Sequence, residues 1–74
     1  MPRSLAEQPL STPAIITAID GSRTVRRRLL ELGLLPGTTV TISNVAPLGD
    51  PLELTVRSSR LSIRRREACA IFID

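Results

Sequence analysis

The sequence predicts a small, mainly β domain: about five short antiparallel strands curled into a partly open barrel, with one α-helix inserted after the first strand. Three observations carry this. Short β-branched or alternating apolar segments recur from Ala14 to Ile73. A single segment, Arg23 to Leu32, has the spacing of a helix longer than two turns. Finally, 74 residues are enough for one thin core, a chain of this size burying roughly 60% of its unfolded surface. The expected organisation is one domain over residues 1–74, with residues 1–13 as an N-terminal arm packed on the barrel.

Ser4-Leu5-Ala6-Glu7 fits a capping box and starts one helical turn, which Pro9 stops. Leu5 and Leu10 are read as apolar pegs against the main body. Ala14 to Ile19 is the first strand, and Asp20-Gly21-Ser22 is a turn that offers a helix N-cap. In the helix, Val25, Leu29 and Leu32 stand at i, i+4 and i+7 and so share one face. Gly33 follows at the left-handed terminal position, and Leu34 can fold back on Leu29. Leu35-Pro36-Gly37-Thr38 has Pro and Gly at the central positions of a type II turn.

The remainder alternates. Val40 and Ile42 oppose Thr39 and Thr41, and Leu52, Leu54 and Val56 oppose Glu53, Thr55 and Arg57. Between them Pro47-Leu48-Gly49-Asp50-Pro51 forms a tight hairpin tip, with Gly49 at positive φ. Ser58-Ser59 turns the chain, and Leu61 and Ile63 point inward. Arg65-Arg66-Glu67 is a short irregular link with room for one 3₁₀ turn, and Cys69, Ile71 and Ile73 form the inward face of a last strand. By that parity Phe72 points outward, and Cys69 is a buried structural thiol.

Absences narrow function. The chain has no His, Tyr or Trp, one Cys and one Phe. The usual acid–base residue at neutral pH is therefore missing, as are a Cys cluster for zinc and most stacking platforms for bases. The expectation is a non-enzyme without cofactor or resident metal. Asp20, Glu31, Asp50, Glu53 and Glu67 are scattered and read as solvated charge, able at most to hold a weak oxygen-ligated ion. The apolar runs are too short to span a membrane, and Met1-Pro2-Arg3-Ser4 lacks the apolar stretch of a signal peptide. A cytoplasmic protein is expected, without membrane insertion and with weak self-association at most.

All ten basic residues are Arg, and the net charge is +3. Arg26, Arg27 and Arg28 fan around the helix at about 100° per residue, while Arg64, Arg65 and Arg66 straddle a strand end. Without interleaved aromatics, a nucleic-acid role rests on charge alone; the triplets read first as solvated faces, then as a contact for an acidic protein partner, and last as a nucleic-acid patch. Leu30 falls on the outer helix face between Arg26 and Arg27. An apolar centre with a cationic rim suits a contact patch, so the candidate partner-binding residues are Leu30, Leu34, Leu35, Arg26, Arg27 and Phe72.

The run Arg28-Leu29-Leu30-Glu31-Leu32-Gly33-Leu34-Leu35-Pro36-Gly37, followed by Ala46-Pro47-Leu48-Gly49-Asp50-Pro51, resembles the signature of the ferrous iron transport protein A (FeoA) family. Leu61-Ser62-Ile63-Arg64-Arg65, then Glu67-Ala68 and a closing apolar strand, continue the resemblance, which covers about Ile16 to Ile73. Phe72 departs from it, at a position where a polar residue is expected. The resemblance implies an SH3-like barrel and a cytoplasmic accessory or activator role in bacterial Fe(II) uptake. Its implied partner is the large FeoB-type permease with an N-terminal G-protein domain. A free-standing relative of an iron-dependent repressor C-terminal domain and a small SH3-like nucleic-acid binder are the alternatives.

Overall fold

Alternation of apolar residues becomes strand wherever one face can be buried. In a computed structural model that describes residues 3–74, six strands form one antiparallel sheet. They are β1 (Arg3–Ser4), β2 (Ala14–Ile19), β3 (Thr39–Val45), β4 (Leu52–Val56), β5 (Ser59–Ile63) and β6 (Ile71–Ile73), in the order β1-β6-β2-β3-β4-β5. The end strands β1 and β5 do not pair, so the barrel is open along that seam. β2 is shared between the two halves. Ala14 and Ile15 pair with Val40 and Thr39 of β3, and Ile16, Ala18 and Ile19 pair with Ile73, Phe72 and Ile71 of β6. A register shift between Ile16 and Ala18 bends the strand from one neighbour to the other.

The core is aliphatic. Val40, Leu52, Leu54, Ile63 and Ile71, on the apolar faces that the alternation predicts, are all at most 1% exposed, as is Ile16 of β2. The helix α1 (Arg23–Glu31) starts where the Ser22 hydroxyl accepts from Val25 N–H at 3.2 Å. It ends as a Schellman motif: Leu34 N–H donates to Leu29 C=O and Gly33 N–H to Leu30 C=O, both at 3.0 Å. Gly33 has φ +88, and a methyl group placed on its Cα would meet nothing within 4 Å, so glycine serves the backbone conformation rather than space. The elbow beyond it closes with Thr38 N–H donating to Leu35 C=O at 3.0 Å and Gly37 at φ +91, as a type II turn requires.

Several expectations are corrected. The sheet has a sixth strand, because the arm adds β1 beside β6. Within the arm, Ser4 N–H donates to Glu7 Oε2 at 3.2 Å and Leu5 is fully buried, but Leu10 is 53% exposed and is no peg. Gln8 takes the locking role, accepting from Arg3 and donating to the carbonyls of Thr12 and Pro13. The β4–β5 turn is Arg57-Ser58, one residue earlier than expected, because Ser59 still pairs with Val56. Phe72 does face away from Ile71 and Ile73, but it is half-buried rather than substantially exposed. Ser4 of β1 and Ala18 of β2 flank it in register on either side.

The largest correction concerns Arg65–Ala68, which is a one-turn helix, α2. Strand parity cannot be carried back through a helical turn. Ala68 and Glu67 therefore point inward, whereas Cys69, expected in the core, is exposed. Glu67, expected among the solvated carboxylates, is only 7% exposed. One oxygen accepts from Arg64 N–H at 2.8 Å and caps α2; the other accepts from Arg28 Nε of α1 at 2.6 Å. A buried carboxylate is tolerated because both of its oxygens are engaged, one by a cation. Leu34 is also fully buried, since the Schellman ending turns it onto Leu29, and it drops out of any exposed patch.

Three measurements follow from this packing. Leu54→Ala should cost about 3 kcal/mol in chemical denaturation, as for a fully buried Leu, whereas Leu48→Ala, 96% exposed, should change stability by less than about 0.5 kcal/mol. Glu67→Ala should cost about 2 kcal/mol, because it removes a cap and leaves the Arg28 contact unmade. Cys69 in the native protein should react with a thiol reagent as fast as in denaturant; strong protection would return it to the core.

Candidate functional site

The outer stripe of α1 is built by helix periodicity. With Leu29 in the core and Val25 and Leu32 packed against it, residues 23, 26, 27 and 30 fall on the opposite side at about 100° per residue. They line a shallow, open depression with Glu31 at its edge. Leu30 is 40% exposed at its centre, and Arg23, Arg26 and Arg27 are exposed around it. Arg27 Nε lies 3.4 Å from Glu31 Oε1, an exposed i,i+4 pair of little energetic weight. Arg28 takes no part, since it reaches across to Glu67.

The expected patch thus divides. Arg26, Arg27 and Leu30 come together, and Arg23, which sequence reasoning passed over, joins them from one turn before Arg26. Its position at i−7 from Leu30 was the available signal. Leu35, 43% exposed, lines a separate depression with Pro36, Gly37, Thr38, Thr39 and Arg57. Leu34 is buried, and Phe72 lies half-buried on β6, on a different element from either depression.

A second feature escaped the sequence reading. Leu48 stands at the β3–β4 tip, 96% exposed. The loop beneath it is held: Arg65 Nε donates to Gly49 C=O at 2.9 Å, and Arg65 N–H donates to Asp50 Oδ1 at 3.0 Å. Gly49 N–H closes the tip on Ala46 C=O at 2.7 Å, with Gly49 at the expected positive φ of +87. An apolar residue at the apex of a turn bracketed by two prolines was the visible sign.

Among the described residues, no three or more His, Cys, Asp or Glu side chains converge as metal ligands. No buried side-chain polar atom among them lacks a hydrogen-bond partner. No helix among them is long and apolar enough to cross a membrane. What the α1 stripe can do is bind: it offers an apolar centre for burial and guanidinium groups for carboxylates.

Comparison with known proteins bears on the fold and the family. A Porphyromonas gingivalis protein described as an Fe(2+) transport protein A/Fe(2+) transporter FeoB fusion is 33% identical over 70 residues, 95% of this chain. The chain spans 8% of that relative's length. The solution structure of a FeoA-like protein from Clostridium acetobutylicum superposes with a TM-score of 0.91 at 32% identity, covering 99% of this chain and 85% of that one. The Stenotrophomonas maltophilia FeoA, crystallised with zinc and described as a procaryotic SH3 domain protein, gives 0.85 at 32% identity over 97% and 89% of the two chains. The SH3-like barrel expected from the sequence is therefore the fold observed. Residues 3–74 match the FeoA domain, and the chain belongs to the FeoA family.

Proposed function

We propose that this chain is a cytoplasmic accessory module of a ferrous iron permease, acting by protein–protein binding and carrying out no chemistry of its own. The observation that carries the reading is the Porphyromonas gingivalis relative, in which a FeoA part and a FeoB transporter share one polypeptide. Fusion holds two parts at high effective concentration, which is useful where they work in contact. The Stenotrophomonas maltophilia neighbour is described as a candidate ferrous iron transport activating factor, which fits the same role.

The docking face is the outer stripe of α1, centred on Leu30 and rimmed by Arg26 and Arg27, with the Leu35 elbow as a neighbouring contact. The partner is the permease's cytoplasmic G-protein domain. Leu30 is exposed enough to be buried by a partner and lies off the core, so its role separates from folding. Leu30→Asp should leave the protein folded, with the thermal midpoint lowered by several degrees, the shift expected for about 1 kcal/mol. It should lower capture by the purified G-protein domain at least about tenfold, the equivalent of about 1.4 kcal/mol, and reduce complementation of iron uptake. Unaltered capture by a folded Leu30→Asp protein would move the interface off α1.

A further inference from the structure

The first turn of α1 contains Arg23 and no carboxylate, and Arg26 follows one turn on. A helix N-terminus exposes unpaired N–H groups and the positive end of the helix dipole, so cations there are disfavoured and anions favoured. Asp or Glu is the ordinary occupant of such positions. Neither Arg23 nor Arg26 forms an ion pair among the described residues that would offset this. The stripe as a whole sets three guanidinium groups against one carboxylate, Glu31, which Arg27 already engages. Such a local conflict between charge and helix polarity marks a surface shaped by something other than folding.

Resting on the reading of α1 as the docking face, we propose that the segment it receives is acidic. The occupant is an amphipathic stretch of the permease's cytoplasmic part, with one apolar side chain over Leu30 and carboxylates facing Arg23 and Arg26. The charge complement follows from the unpaired guanidinium groups, and the apolar anchor from Leu30 at their centre. Arg23 and Leu30 are seven residues apart on the helix, or roughly 10 Å along its axis. The partner's carboxylates therefore lie about one helical turn (for Arg26) and about two turns (for Arg23) from its apolar anchor. A nucleic-acid backbone fits less well: the apolar Leu30 among the guanidinium groups offers a phosphate no contact, and the chain's one aromatic residue, Phe72, lies on β6.

The test is the charge reversal R23E/R26E. Carboxylates near a helix start favour the helix, so the double variant should melt at or above the wild-type temperature. Its affinity for the purified cytoplasmic region of a FeoB-type permease should nonetheless fall at least about tenfold. Wild-type affinity should also fall as NaCl rises from about 50 to about 300 mM. R23Q/R26Q, which removes charge without reversing it, should show a smaller loss at unchanged stability. Equal binding by wild type and R23E/R26E, with no salt dependence, overturns the acidic partner while leaving the docking reading intact. If wild type does not bind the permease region at all, the docking reading fails and this inference fails with it. Tighter binding of wild type to a duplex oligonucleotide than to the permease region would assign the face to phosphate and overturn the proposal.

Discussion

The structure depends on β2 pairing with two different neighbours. Its first residues complete the β3–β4–β5 half of the sheet, and its last residues complete the β6–β1 half. The register shift between Ile16 and Ala18 is where the sheet turns from one half to the other. Ile16, beside that bend, is 1% exposed, and its backbone also ties down the elbow. Ile16 N–H donates to Thr38 C=O at 2.9 Å, and its carbonyl accepts from Gly37 N–H at 2.7 Å. One bent strand thus positions both the start of α1 and the turn that follows it.

Burying one carboxylate is the other constraint on α1. A domain this small has little interior, and an uncompensated charge inside it would be expensive. Glu67 is accommodated because α2 supplies an N–H and α1 supplies a guanidinium. The pair also joins residues 39 positions apart in sequence, so it holds the helix against the barrel at a fixed rotation. With Arg28 committed to Glu67, Arg23, Arg26 and Arg27 are left on the outer side around Leu30. The candidate face is in this sense a product of the core: the residues used to seat the helix determine which remain outside.

Leu30 and Leu48 illustrate two ways of presenting an exposed apolar side chain. Leu30 rides on a helix capped at both ends, and Leu48 on a tip braced by Arg65. In each case backbone hydrogen bonds hold the side chain's base in place before any partner arrives, which lowers the ordering cost of binding.

Periodicity by itself determined the regular parts. The helix limits, the Schellman ending at Gly33, the type II elbow, the inward Leu52, Leu54 and Val56 and the outward Leu30 all follow from spacing and turn chemistry. These are local rules, and the chain obeys them over runs long enough to average out exceptions. Sequence patterning misleads where the runs are short or the decisive partner is distant. Cys69 leaves the core because one helical turn at Arg65–Ala68 breaks the strand parity on which its burial rests. Glu67 can enter it because the cation that compensates its charge lies on another helix, and Phe72 is half-covered because β1 arrives beside it from the opposite end of the chain. Leu34 is legible as the residue that folds back on Leu29, and that fold-back, which buries it, conflicts with its place in the exposed patch, where only Leu35 remains. Local geometry is written in neighbouring residues; burial is decided by whatever the fold brings alongside, and only tertiary packing supplies that.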